Sequence, residues 1–433
     1  MRAALSTLTV RGRGFLSAGL ASLACAVVLG QKDLMRVGLL LVALPVITAW
    51  AAHRARYLLS CSREVTPARL EVGQVATVRL RIENPGRIPT GLMLLEDQVP
   101  YVLGSRPRFV VEQLRPRWHR EMTYQVRSEV RGRYSLGPLT VRLSDPFGFV
   151  ELDRAFASRV GIVVTPAVVP LPRTRLSGDW SGTGDNRPRA FAAAGSEDVT
   201  VREYRLGDDL RRVHWRSTAR TDELMVRREE QPHQSRATLL LDRRASAHRG
   251  SGPASSFEYA VSATASVGAH LAAQQFLVRM LSDEAHGADA SWHDRGISGP
   301  SEVRLLMDSL AVVQTRPHHA FSAGHPDHSS GLVVAVLGAV TVTDAAALGR
   351  IRAGASRALA VLLDVESWAP GAAGATSVPV GEQVTMLRAH GWAVVVARPG
   401  DRLATVWQDL AGSVRTSSRQ RHGVSRDATG PAA

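Results

Sequence analysis

Lysine is almost missing from this 433-residue chain, since Lys32 is the only lysine among 53 basic residues. Such a skew toward arginine is what a GC-rich bacterial genome imposes, and it says nothing about function. Cysteine is nearly as scarce. Cys25 and Cys61 cannot staple a chain of this size, which excludes a disulfide framework and a four-cysteine zinc site. No phosphate-cradling Gly-x-x-x-x-Gly-Lys stretch occurs, no Gly-x-Ser-x-Gly elbow, and no dinucleotide fingerprint after a strand. The 14 histidines are scattered, apart from His318, His319, His325 and His328 with Asp327, in a stretch with no strand or helix period. Loop composition explains that group better than a metal site. The expectation is therefore a protein without a cofactor and more of a binder than an enzyme.

Length predicts two or three domains, and the 45% hydrophobic content is enough for that many cores. The net charge of +14 is unevenly placed, with 8 basic residues and 1 acidic residue in the first 63. Those residues also hold the two longest apolar runs, Phe15 to Gly30 and Leu34 to Ala52, separated by Gln31-Lys32-Asp33. The second is about the ~20 residues that a spanning helix needs, and the first is slightly shorter. Together they predict a helical hairpin in the lipid bilayer over residues 1–63. Arg2, Arg11 and Arg13 precede it and Arg54, Arg56 and Arg63 follow it, so both ends are expected on the cytoplasmic side, with Trp50 and Tyr57 near the interface. A cleaved signal peptide would fit the first run, but the longer second run argues for retention in the membrane.

Past the hairpin the period becomes two. In ATVRLRIENPG, Val78, Leu80 and Ile82 alternate with Arg79 and Arg81 before an Asn-Pro-Gly turn, and MTYQVRS and LTVRLSDPFG alternate likewise. Short strands of this kind predict an antiparallel β-sandwich over 64–165, with its arginines on a solvated strand face. Residues 166–201 have the Gly, Ser, Pro and Arg content of a linker or extended arm. The continuous apolar runs ATLLLD, FLVRMLS, GLVVAVLG, ALAVLLDV and WAVVVAR then alternate with helical stretches such as SSFEYAVSATASVGAHLAAQQ, EVRLLMDSLAVV and GEQVTMLRAHG. That alternation predicts a doubly wound parallel α/β domain over 236–412, followed by a disordered tail at 413–433. The fold class is thus multi-domain: transmembrane hairpin, β-sandwich, then α/β.

The densest charge lies between linker and α/β domain, in REYRLGDDLRRVHWRSTARTDELMVRREE, Arg202 to Glu230, within a segment set at 202–235. Gly207-Asp208-Asp209 reads as a helix start. Leu210 and Val213 would face a core, with Asp208, Arg211 or Arg212 and Trp215 within two turns of one another. Arg220 and Glu223 mark the exit, and a strand follows. The 8 arginines and 7 acids nearly cancel, which excludes a nucleic-acid patch because counterion release needs net positive charge. A catalytic reading uses Asp208 or Asp209 with His214 on an anionic substrate, but nothing in the sequence supplies a nucleophile or a metal. The preferred reading is an arginine–carboxylate network that holds the arm or forms a partner surface.

At the end of the first strand of the α/β region, Asp242, Arg244 and Ser246 resemble the Asp-x-Ser-x-Ser metal site of von Willebrand factor type A domains. Arg244 stands where the first serine belongs, and Gly338-Ala339 where an acid is usual, so the site is read as degenerate and without metal.

GDDLRRVHWRSTAR resembles the hallmark of the domain of unknown function 58 family. It matches at Gly207, Asp208, Asp209, Arg211, Val213, Trp215, Ala219 and Arg220. The flanking Arg202-Glu203-Tyr204, the ELMVRREE stretch with Arg227, the upstream Asp145 to Phe149 (DPFGF) and the downstream SSFEYAVSATAS are similar to that family too. The resemblance implies a membrane-anchored bacterial protein with a β-rich domain and a von Willebrand factor type A-like domain. It also implies a MoxR-type AAA+ ATPase as partner, a chaperone-like or assembly role, and no established catalytic activity. Arg202, Glu203, Tyr204, Arg212, His214, Arg220, Glu223 and Arg227 are accordingly the expected partner-binding or structural residues, together with the matched ones. A hydrolase or an adhesion module with reversed topology are the alternatives.

Overall fold

The computed structural model describes residues 8–54, 59–87, 89–112, 114–145, 147–174, 200–204, 213–221, 223–228, 236–281, 300–317, 331–369 and 378–424. The chain divides into two compact units: Met1–Val169 with Arg243–Ser266 and Ser301–Pro317, and Pro170–Asp242 with Val267–Pro300 and His318–Ala433. Helices α1 (Val10–Leu29) and α2 (Lys32–Arg54) open the first unit, and both are long and apolar enough to cross a membrane by length and composition. Large apolar side chains such as Val28, Leu29, Leu39 and Leu40 point outward. The two helices meet through glycines: a Cβ on Gly19 would lie 2.7 Å from Val42 Cγ2, and one on Gly38 would lie 2.9 Å from Leu23 Cγ. Small residues at such crossings let helix backbones approach closely.

Ten strands follow. Strands β1 (Ser60–Thr66), β3 (Val75–Asn84) and β6 (Trp118–Arg127) form one antiparallel sheet in the order β1-β3-β6. A second antiparallel sheet runs β5 (Arg108–Val111), β4 (Leu92–Asp97), β8 (Leu139–Ser144), β9 (Glu151–Phe156). In a third, β10 (Val160–Thr165) lies between β2 (Arg69–Glu71) and β7 (Gly132–Leu136). The alternation read in β3 is realised: Ala76, Val78, Leu80 and Ile82 are fully buried, while Arg79 faces outward. Val78 packs with Leu136 and Ile162 of the third sheet, whereas Leu80 and Ile82 pack with Met93, Leu95 and Val141 of the second. The first sheet therefore shares one core with each of the other two.

Arg63 corrects the reading that counted it in the basic flank of the hairpin. The strand β1 begins before it, and its guanidinium is enclosed, donating to both carboxylate oxygens of Asp97 and to the carbonyls of Leu136 and Ser158. Tyr124 donates its hydroxyl to the same carboxylate. Burial, then the hydrogen bond to Asp97 and its charge, push the Tyr124 phenol up from its ordinary range.

The second unit holds strands β11 (Thr200–Glu203) and β12 (Met225–Arg228), paired antiparallel, with helix α3 (Trp215–Thr221) between them in sequence. Its main sheet consists of β13 (Arg236–Leu241), β14 (Leu277–Leu281), β15 (Leu332–Leu337), β16 (Arg357–Leu363) and β17 (Ala393–Ala397). All five are parallel, in the order β14-β13-β15-β16-β17. Every residue of β15 is buried, as a strand covered on both faces requires. In sequence, helix α4 (Ser256–Ala273), whose residues up to Ser266 belong to the first unit, follows β13, and α5 (Pro300–Val312), which belongs to the first unit from Ser301 on, precedes β15. On one face α6 (Val342–Ala353) and α7 (Val380–Ala389) supply Leu348, Ile351 and Leu387 to a core with Ala335, Ala360 and Val394. Helix α6 starts at a capping box in which Thr341 Oγ1 accepts from the Asp344 N–H and the Asp344 carboxylate accepts from the Thr341 N–H. The last helix, α8 (Leu403–Val424), buries Trp407, whose ring meets His270 of α4 edge-on at 5.6 Å. It extends past residue 413, so the expected tail is helical as far as Val424; residues 425–433 lie outside the described residues.

Within the first unit, Arg131 holds the end of α5. Its side chain is only 5% exposed; Nε donates to Leu310 O at 2.9 Å, and a second nitrogen donates to Val313 O. The carbonyls at a helix C-terminus lack partners inside the helix and carry its negative pole, so a guanidinium satisfies both needs. Glu258 pairs with Arg131, and the guanidinium lies 5.3 Å from the centre of the Phe257 ring. Removing Arg131 leaves the half-buried Glu258 and the carbonyls of Leu310 and Val313 without their partner, at a cost of about 1–3 kcal/mol. Arg131→Met is expected to lower the denaturation midpoint of the detergent-solubilised chain by a corresponding amount, and Arg131→Met with Glu258→Leu to recover part of the loss. An unchanged midpoint in the single variant would contradict this role.

Candidate functional site

The hallmark segment is built on strand pairing. Thr200, Val201, Arg202 and Glu203 pair with Arg228, Arg227, Val226 and Met225, and Tyr204 donates its N–H to Leu224 O at 2.8 Å. Val213 forms a β-bridge to Val226, and both are buried. The chain is thus extended at Val213, where the sequence suggested a helix running on from Gly207-Asp208-Asp209, and the helix among the described residues begins at Trp215. The correction has a physical reason: Val213 pairs with β12 through its backbone, and an N–H committed to a bridge partner cannot sit inside a helix. Gly207, Asp208, Asp209, Arg211 and Arg212 lie outside the described residues, as do the side chains of Arg202 and Arg227. The histidine group at 318–328 also lies outside them.

His214 is the residue on which α3 turns. Its N–H donates to Met225 O at 2.7 Å, which ties the helix start to β12. Its ring Nδ1 accepts from the Ser217 N–H at 3.3 Å and lies 2.8 Å from Ser217 Oγ. An N–H can only donate, so Nδ1 is the acceptor and the hydroxyl also donates to it. His214 therefore caps the helix as a Ser or Asp side chain would. Thr218 completes the knot: its Oγ1 accepts from the Met225 N–H at 3.1 Å and donates to His214 O at 3.2 Å. Ser217 and Thr218 escaped the sequence reading, although the His-x-x-Ser spacing carries the capping signal.

The outer face of this short helix is open. Trp215 is 71% exposed, and Arg216, Ala219 and Arg220 are exposed beside it. Residues 215 and 219, and 216 and 220, are each one turn apart, so an apolar pair and a cationic pair lie side by side. Glu203 and Glu223 are exposed as well, and Tyr204 is half-buried.

The carboxyl end of the parallel sheet offers less. The strand order reverses between β13 and β15, the place where open α/β sheets commonly bind ligands. Asp242 stands there at 1% exposure, but its Oδ2 accepts from the Gly338 N–H at 3.2 Å and its own N–H donates to Val336 O. Arg244 is buried and Ser246 exposed. Among the described residues, no three His, Cys, Asp or Glu side chains lie close enough to hold a metal ion. In the first unit, a cleft of about 240 Å³ is lined by His248, Arg249, Ser251, Pro253, Phe257 and Glu258, among others. Its polar groups already serve one another: His248 Nδ1 lies 3.2 Å from Ser256 Oγ, Arg249 donates to the carbonyls of Ser246 and His248, and Glu258 pairs with Arg131.

Residues 200–277 match the family model described as "Protein of unknown function DUF58", which spans the β11–β12 pair, α3, β13 and α4. The uncharacterized protein YeaD of Bacillus subtilis (strain 168) is 26% identical over 220 residues, covering 48% of this chain and 51% of that protein. The chain thus spans about half the length of that curated relative. Among solved structures, a CARDB domain from Pyrococcus furiosus covers 25% of this chain and 87% of its own, at 17% identity and a TM-score of 0.19. An alkylpurine DNA glycosylase from Pseudomonas fluorescens covers 30% of this chain and 39% of its own, at 13% identity and a TM-score of 0.16. Similarity that low carries no argument.

The capping knot generates a test. Thr218→Val keeps the shape of the side chain but leaves the Met225 N–H without its acceptor, a loss of about 1–3 kcal/mol. Faster amide exchange at Met225 and through α3 is expected, with the β13–β17 sheet unchanged; unaltered exchange at Met225 would contradict the assignment.

Proposed function

We propose that this chain, a DUF58 family protein through residues 200–277, is a membrane-tethered adaptor without catalytic activity that presents the α3 face to a partner protein. The observation that carries the proposal is Trp215, a large aromatic side chain held 71% exposed on a pinned helix, flanked by Arg216 and Arg220. Tryptophan and arginine dominate the energetics of protein interfaces. Two cations on one side of the aromatic ring favour a partner with an acidic rim around an apolar pocket. By family resemblance that partner is a MoxR-type AAA+ ATPase. The apolar α1–α2 pair supports tethering in a bilayer, and the arginines before and after it support placing both ends, and the soluble units, on the cytoplasmic side. We read the parallel sheet as a von Willebrand factor type A-like domain whose metal position is closed by the use of Asp242, and the ten-strand layer as a β-sandwich.

A second reading, a hydrolase on an anionic substrate using Asp208, Asp209 and His214, gains one observation: Ser217 Oγ lies 2.8 Å from His214 Nδ1, a nucleophile-to-base distance. The same nitrogen is occupied by the Ser217 N–H, which favours capping over catalysis.

Trp215→Ala is expected to leave folding stability within about 0.5 kcal/mol, as surface substitutions do. It is also expected to weaken binding of the ATPase by about 30-fold or more, the scale of an interface anchor worth 2 kcal/mol. Arg220→Glu should weaken it further and make the residual binding less sensitive to salt. Unchanged affinity in both variants would contradict the proposal. Hydrolysis of a phosphate or acyl ester that disappears in Ser217→Ala would favour the second reading instead.

A further inference from the structure

We infer that Asp145, Phe147, Gly148 and Phe149 form a membrane-interface wedge, with Phe147 seated at the boundary between lipid headgroups and acyl chains. The inference rests on α1 and α2 spanning the bilayer. It goes beyond the tether itself, because it makes the β-rich part of the first unit a second contact with lipid.

The turn is stiff. Asp145 Oδ1 accepts from the Val150 N–H at 2.7 Å, Oδ2 accepts from the Phe147 N–H at 3.2 Å, and the Asp145 carbonyl accepts from the Gly148 N–H at 3.0 Å. It is docked on the start of α1. Thr9 donates its N–H to Phe149 O at 2.9 Å and its hydroxyl to Gly148 O at 2.6 Å, while the same Oγ1 caps α1 by accepting from the Gly12 N–H. Leu8 forms a β-bridge with Val150. Gly12 is required for the approach, because a Cβ there would lie 2.5 Å from Phe149 O.

The height of the turn follows from what its rings touch. Phe149 packs against Phe15 at 4.8 Å between ring centres, and joins Ala49, Val150 and Leu44 in one apolar cluster. Phe15, Leu44 and Ala49 all lie inside the stretches apolar enough to span a membrane, Val10–Leu29 and Lys32–Trp50. When the apolar run that starts at Phe15 spans the bilayer, a side chain level with Phe15 lies at the edge of the apolar layer. Phe147 stacks on Phe149 at 5.8 Å and is 58% exposed. Exposed Trp50 and Arg11 share this end of the hairpin. Aromatic rings and arginines together at that level are the usual make-up of a membrane interface. The neighbour of the exposed part of Phe147 is therefore lipid.

The test uses the full chain reconstituted in vesicles of phosphatidylglycerol and phosphatidylethanolamine, with an environment-sensitive nitrobenzoxadiazole label on one cysteine at a time. In Cys61→Ser the label sits on Cys25 of α1 and reports whether the hairpin is inserted. In Cys25→Ser, Cys61→Ser, Phe147→Cys it reports the turn. Quenching of the Cys25 label by acyl-brominated lipid, with quenching of the turn label by lipid brominated near the headgroup, is the expected result. Adding Gly12→Leu should abolish the second signal and keep the first. A turn label that stays in water while the Cys25 label is quenched would overturn the wedge and leave the tether standing. If neither label is quenched, the spanning hairpin fails, and the inference with it. Quenching of the turn label that survives Gly12→Leu would show that docking on α1 does not set its depth, which also overturns the argument.

Discussion

A helix of seven residues does not persist in water on its own hydrogen bonds, because nucleation fixes several dihedral angles before any bond repays it. Helix α3 exists because β12 holds it at both ends of its first turn. The His214 N–H reaches Met225 O, the Met225 N–H reaches Thr218 Oγ1, and the His214 ring receives the Ser217 N–H. The buried Val213 and Val226 anchor that knot from below. Once the inner side is committed in this way, Trp215, Arg216, Ala219 and Arg220 have nowhere to go but outward. A fixed, exposed tryptophan meets a partner without first losing conformational freedom, which is the physical sense in which the segment is pre-organised.

The contrast with the carboxyl end of the parallel sheet is instructive. The strand order β14-β13-β15-β16-β17 creates a switch point, and Asp242 is placed on it. That carboxylate accepts from the Gly338 N–H and is almost wholly enclosed. At this switch point the chain closes the Asp242 carboxylate into the scaffold. Trp215 on α3 and Phe147 beside Asp145 are exposed by contrast, and both lie in stretches where the family resemblance was read in the sequence.

Strands β15 and β16 were legible because they are buried on both faces and so appear as unbroken apolar runs, and β14 and β17, only partly buried, were legible from their apolar composition. Strand β3 was legible from its period of two, and the α1–α2 pair from length and composition alone. Helix α6 was not picked out by period, since its alanines blur the contrast between faces. Its readable mark was the Thr341–Asp344 capping box. A helix was read straight through Val213 because the pairing of Val213 with Val226 is a long-range contact that no local pattern reports. Arg63 was miscounted for the same reason: its partner Asp97 is 34 residues away. The capping role of His214 and the closure of Asp242 also depend on neighbours that only the fold brings together.

We propose centrally that the exposed side of α3 is a docking surface, with a MoxR-type ATPase as the partner that the family resemblance suggests. The most direct measurement is amide exchange on the full chain with and without that ATPase, read residue by residue across 213–228. Slowed exchange confined to Trp215 through Thr221, lost in Trp215→Ala, is the predicted result. Complex formation that leaves exchange in α3 unchanged would contradict it.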